Sequence, residues 1–184
     1  MDPADATLTH LDHAGRARRV DVTEKALTHR RARARCRVNI GAEASAAFQA
    51  EIAKGTAGIG LGRIELFEAA RFAGIQAAKQ TSQLIPLCHP LTLSDIRVEF
   101  HLDGEHVGIE AISEVIGQTG VEMEALTACV VTALSLAAGA MHRYPEISIG
   151  DVELLEKSGG RSGNWLREDG RITGDAQKSA RRAP

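Results

Sequence analysis

The stretch GVEMEALTACVVTALSLAAGAMHRY, Gly120–Tyr144, places two carboxylates, Glu122 and Glu124, ahead of a run from Ala125 to Met141 that carries no charge. That run could be a membrane span or a buried helix. A bilayer core asks for about 20 predominantly apolar residues, and Thr127, Thr132, Ser135 and Gly139 dilute this shorter run. The sequence therefore predicts a helix from about Val121, apolar all round and buried on most sides within protein. Its many small residues let neighbouring backbones approach closely, as a core or a subunit interface requires. Glu122 and Glu124 would then sit in its first turn, where they complement the helix dipole. Two residues apart on a helix, they diverge by about 200°.

Upstream, RRARARCRV (Arg30–Val38) alternates strictly, with Arg31, Arg33, Arg35 and Arg37 on one face and Ala32, Ala34, Cys36 and Val38 on the other. That is the period of a strand. Its charged row reads first as the wet face of an antiparallel sheet and second as a surface for phosphate or an acidic partner. SDIRVEFHL and GIEAISEVI, joined at Asp103-Gly104, predict two more strands, and ISIGDVELLEKSGG a last one. Two helical segments flank Gly55, Gly58, Gly60 and Gly62, the second running from Ile64 to Lys79. These glycines lack the G-x-x-x-x-G-K-[ST] order of a nucleotide-binding loop. The expected fold class is an α+β sandwich, an antiparallel sheet with helices packed on one face. It forms a single domain over residues 1–167, with the polar, basic residues 168–184 as a disordered tail.

Composition narrows the function. With 3% aromatic residues in 184, the chain has few platforms on which bases could stack, and a net charge of −2 disfavours a general polyanion binder, so no nucleic-acid partner is expected. Cys36, Cys88 and Cys129 show no paired spacing, which argues against both a disulfide framework and a cysteine metal site. The N-terminal MDPADATLTHLDHAG lacks a basic segment followed by an apolar one, so a cytoplasmic location is expected, with no membrane partner.

Chemistry concentrates in three places. In QLIPLCHPL, Pro86 and Pro90 stiffen the backbone around Cys88 and His89, and a rigidly held His89 could act as an acid, a base or a phosphate donor. In EKSGGRSGNW, Lys157 and Arg161 flank a turn at Gly159 and Gly160, where backbone amides and two cations could cradle a phosphate; an ordinary exposed turn is the alternative. Glu122 and Glu124 are the third.

Taken in order, LTHLD, GRARRVDVTEK, ARFAGIQAAKQTSQLIPLCHPL, TGVEMEALTA and LLEKSGGRSG resemble the cyclic pyranopterin monophosphate synthase family of molybdenum cofactor biosynthesis, over roughly residues 8–165. The resemblance implies a ferredoxin-like α+β fold and a homohexamer built as three dimers, with active sites between subunits. It also implies conversion of a cyclised dihydro-GTP into cyclic pyranopterin monophosphate with loss of pyrophosphate, without metal or organic cofactor. The small-molecule partner is thus a phosphorylated nucleotide or pterin. His89, Glu122, Glu124 and Lys157 keep the family's catalytic positions, and Arg63, Lys157, Gly159, Gly160 and Arg161 are the expected substrate-binding set.

The chain departs from the family at two places. The family's helix ends in Asp-Met-Cys-Lys, whose Asp and Lys act in the chemistry; here those positions are Ala138, Gly139, Ala140 and Met141. A Lys-Gly-Asp ahead of the second helix becomes Arg63, Ile64 and Glu65, and arginine holds its proton too firmly to serve as a lysine acid or base. Positioned acid–base groups are each worth roughly 10²–10⁴ in rate. The sequence reading therefore puts first a diverged enzyme with altered lyase or cyclase chemistry on a related phosphorylated purine or pterin nucleotide. A genuine synthase with substitutes such as His142 or Arg63, and a non-catalytic ligand-binding or partner paralogue, are the alternatives.

Overall fold

A computed structural model of the chain describes residues 14–53, 61–160, 163–168 and 171–174. The elements run β1 (Thr28–Asn39), α1 (Gly41–Ala53), α2 (Leu61–Lys79), α3 (Thr81–Leu84), β2 (Asp95–Asp103), β3 (His106–Gly117), α4 (Glu122–Ala140), β4 (Ser148–Ser158), β5 (Trp165–Glu168) and β6 (Arg171–Gly174). The six strands form one sheet in the order β2-β3-β1-β4-β5-β6, every neighbouring pair antiparallel. Its first four strands and their helices reproduce the ferredoxin-like β-α-β-β-α-β arrangement.

The arginine alternation becomes β1, the central strand. Ala32, Ala34, Cys36 and Val38 are buried, and they meet Ala125, Ala128, Cys129, Ala133 and Leu136 of α4 in one hydrophobic cluster with Val107, Ile109, Ala111 and Val115 of β3. By length and composition α4 could cross a membrane, but these residues bury one side of it against the sheet. Beside it, α2 approaches so closely that a Cβ at Gly74 would come within 2.8 Å of the Ala128 carbonyl oxygen. Small residues thus set the spacing between the two long helices, as read in the sequence.

On the other face of the sheet the charged row is neutralised by its neighbours. Arg31 pairs with Glu156 at 2.5 Å and Glu114 at 3.4 Å, Arg33 with Glu110 at 3.2 Å, and Arg35 with Glu153 at 2.5 Å. Every carboxylate comes from a flanking strand, β3 or β4. This is the wet-face reading of the arginines, with Glu114 and Glu153 directly opposite their partners and Glu156 and Glu110 one diagonal step away.

The structure corrects the expected boundary at residue 167. That position lies inside β5, and β6 pairs with β5 through Glu168↔Arg171 to Trp165↔Gly174, so the sheet continues seven residues further, through Gly174. Four-residue strands leave too few alternations for a period to register. Residues 175–184 lie outside the described part.

Candidate active site

Antiparallel pairing decides where the site forms. Both neighbours of β1 run against it, so the end of β3 and the end of β4 meet the start of β1: Thr28 lies opposite Gly117 and Ala32 opposite Lys157. The chain leaves β3 through Gln118-Thr119-Gly120 and enters α4 at Glu122. The first turn of α4 and the last residues of β4 therefore share one edge of the fold. There the Lys157 ammonium donates to the Glu122 carboxylate at 3.0 Å. Gly120 makes room for this pair, since a Cβ there would collide with the Glu122 carboxylate. Arg30 fixes the loop, donating from Nε to Gly117 O at 3.0 Å and from Nη2 to Gln118 O at 3.1 Å. A cavity of about 200 Å³ opens here, lined by Lys25, Arg30, Arg31, Glu122, Lys157 and Gly159 among others. Arg31 is already neutralised by Glu156 and Glu114 and Lys157 pairs with Glu122, so Lys25 and Arg30 leave the lining net positive, which suits a polyanionic group.

A second cavity of about 390 Å³ adjoins it and shares Lys25, Thr119, Gly120 and Glu122. Its further walls come from Val20 and Val22 before β1, from Leu87, Cys88 and His89, and from Glu124. The Pro86 constraint is visible: Ile85 is extended (φ −115°, ψ 112°), Leu87 has φ +71°, and the Cys88 N–H donates to Ile85 O at 3.3 Å. This is a type II turn with proline at its second position and leucine where glycine is usual. It turns the chain so that Leu87, Cys88 and His89 all line the cavity.

Glu122 and Glu124 diverge as the helix requires, yet both reach this second cavity. Glu124 is buried, and burial, aided by the neighbouring Glu122 charge and opposed by a backbone hydrogen bond, pushes its carboxyl up to about 7. It can therefore hold or release a proton near neutrality. Cys88 is raised as well, first by burial and then by the Glu124 charge, so its thiol stays protonated and is not an activated nucleophile.

The structure thus brings His89, Glu122, Glu124, Lys157 and Gly159 to two adjoining cavities of one chain. It does not gather every predicted position. Ala138 lies in the last turn of α4 and Met141 just past it, both exposed, sixteen or more residues along a helix that rises 1.5 Å per residue, or about 24 Å from Glu122. Arg63 falls in the first turn of α2, its side chain outside the described residues, as is all of Arg161. Gly159 and Gly160 have φ of +87° and +80°, and a Cβ on either would strike His29 O or the Arg30 guanidinium. The Gly159 amide, expected to face an anion, instead donates to Asn164 Oδ1 at 2.8 Å. The cradle is corrected accordingly: cationic side chains line it, and the glycines allow the close approach. Lys25, Arg30 and Gln118 escaped the sequence reading. Lys25 sits in an irregular segment and Arg30 at the fraying end of the strand pattern, so neither had a period to mark it.

Comparison with known proteins bears on the whole of this site. The profile of the MoaC family matches residues 19–160. The chain belongs to the MoaC family. Among its relatives, the cyclic pyranopterin monophosphate synthase of Thermomicrobium roseum is 45% identical over 167 residues, covering 89% of this chain and 95% of the relative. Proteins of the same name from Parvibaculum lavamentivorans (46% over 160 residues; 86% and 95%) and Heliobacterium modesticaldum (44% over 172; 92% and 100%) are similar to the same extent. The span matched to the MoaC family contains Lys25, Arg30, His89, Glu122, Glu124, Lys157 and Gly159, so both cavities lie within it, while β5 and β6 follow it.

Proposed function

We propose that this chain is a lyase or cyclase acting on a phosphorylated purine-derived nucleotide, with the reaction of a cyclic pyranopterin monophosphate synthase in molybdenum cofactor biosynthesis as its activity. The observation that carries the reading is the adjoining pair of cavities, one cationic and one holding Glu124 and His89. The phosphates would lie against Lys25, Arg30 and Lys157, whose charges offset theirs. The ring system would lie in the larger cavity between Val20, Val22 and Leu87, within reach of Glu124, which can give or take a proton at neutral pH. The name shared by relatives at 44–46% identity favours this reading over the diverged one that the sequence alone put first.

One observation keeps the diverged reading as a second: positions 138 and 141 are alanine and methionine, neither of which titrates. Those positions lie too far along α4 to serve the site of their own chain and would meet a neighbouring subunit's site instead. A homo-oligomer, a hexamer of three dimers, in the cytoplasm fits both readings.

The deciding experiment incubates the protein with cyclised dihydro-GTP and follows both the pterin product and pyrophosphate. Turnover of both supports the synthase. Tight binding without turnover, rescued by Ala138→Asp with Met141→Lys, supports divergence at the far end of α4. Lys157→Ala should weaken affinity for a nucleoside triphosphate about tenfold or more, because a charged hydrogen bond is worth roughly 1.5–3 kcal/mol. Unchanged affinity by calorimetry would overturn the phosphate assignment.

A further inference from the structure

Residues 20–25 precede β1, and Val20, Val22 and Lys25 form one wall of the larger cavity. The segment has no regular partner. Its internal bonds are a local turn, Lys25 N–H to Val22 O at 2.9 Å, and Thr23 donating to the Asp21 carboxylate from both backbone and hydroxyl. Val20 and Val22 are half-buried, and its hydrogen bonds to the body come, among the described residues, from a single side chain: Gln118 Nε2 donates one hydrogen to Thr23 O at 3.2 Å and the other to Lys25 O at 3.1 Å. Gln118 is held in turn, since its own carbonyl accepts from Arg30 Nη2. Among the described residues, no other hydrogen bond ties residues 20–25 to the rest of the chain.

Lys25 is the one residue of this segment that reaches both cavities. It is half-buried, and among the described residues its ammonium makes no ion pair, so its charge is available to a ligand at the seam. We propose that Gln118 is a positioning residue: its carboxamide fastens residues 23–25 against the body and thereby holds the Lys25 ammonium at the seam between the cationic and the titratable cavity. A lysine on an untethered segment would have to order that segment each time it met a ligand, and the lost chain entropy would subtract from affinity. The two hydrogens of one amide remove that cost in advance. The role for Lys25 rests on the phosphate-binding reading above, whereas the tether does not.

The test has two arms. Trypsin cleavage of the Arg19-Val20 bond, mapped by mass spectrometry on the folded full-length protein, reports the tether without any ligand. Gln118→Met keeps the length of the side chain and removes both donors, and should raise the cleavage rate roughly fivefold or more, as two lost neutral hydrogen bonds imply. Gln118→Glu, which sets a carboxylate against two carbonyls, should do at least as much. An unchanged rate in both variants overturns the proposal.

The second arm measures tripolyphosphate binding by calorimetry in a double-mutant cycle of Gln118→Met and Lys25→Met. Gln118→Met alone should weaken binding roughly three- to tenfold, and the double variant should bind no more weakly than Lys25→Met. Additive losses, or no loss in the single Gln118 variant, overturn the positioning role even if the segment has loosened. If the parent itself fails to bind tripolyphosphate, the phosphate reading and the role of Lys25 both fall, and the cleavage arm alone decides the tether.

Discussion

Leu87 occupies a left-handed backbone position, φ +71°, that costs a residue with a Cβ roughly 1–3 kcal/mol. Its side chain lines the larger cavity, which glycine could not do, so a folding cost is exchanged for a wall. Glu124 shows the same exchange in electrostatic form. Burial lifts its carboxyl from an ordinary 4.5 to about 7, so the folded chain keeps a proton that the unfolded chain releases. Stability must then fall as pH rises from about 4.5 to about 7 and level off above. Glu124→Gln should remove this slope, gaining on the parent across that window by up to roughly 3 kcal/mol. Urea unfolding at a series of pH values reads the difference, and parallel curves would refute the buried-acid account. His89, Glu124 and Lys157 were legible because prolines, an apolar run and a glycine pair mark their surroundings. Lys25 and Gln118 were not, since their meeting joins residues 93 apart through a carbonyl, which leaves no trace in residue type.

Among the elements, the two long helices stand closest where their residues are smallest. Gly74 of α2 faces Ala128 and Thr132 of α4, and a methyl group there would meet a backbone carbonyl as well as the Thr132 hydroxyl. Gly74→Ala should force the helices apart and destabilise the fold by about 1–3 kcal/mol despite alanine's better helix propensity. A lower urea midpoint with an unchanged slope would register this; an equal or higher midpoint would show that the contact yields freely. The alternations of β1, β2 and β3 and the small-residue helix were legible because each repeats its period several times. The single turn of α3 and the short hairpin of β5 and β6 were not, because four residues complete no more than two alternations or one helical turn.

Across the whole molecule, α4 presents a third side to solvent. Leu134 and Met141 are 53% and 48% exposed on the same stripe as Ala138. An apolar stripe of this kind on a folded domain calls for a covering partner, and in the proposed homo-oligomer a second copy of the chain would supply it. Leu134→Glu should therefore shift the protein toward monomer in sedimentation at micromolar concentration, while a parent already monomeric there would defeat the expectation. The length of α4 has a separate consequence for descent. The carboxylates at 122 and 124 and the divergent positions 138 and 141 sit at its two tips, about 24 Å apart at 1.5 Å per residue, with small and apolar residues making up most of the helix between them. The two tips can mutate as independent modules: a lineage can rewrite residues 138–141 while leaving the carboxylates at 122 and 124, and the core that carries them, untouched. Grafting the tip of a sister protein onto this rod would amount to a four-residue exchange.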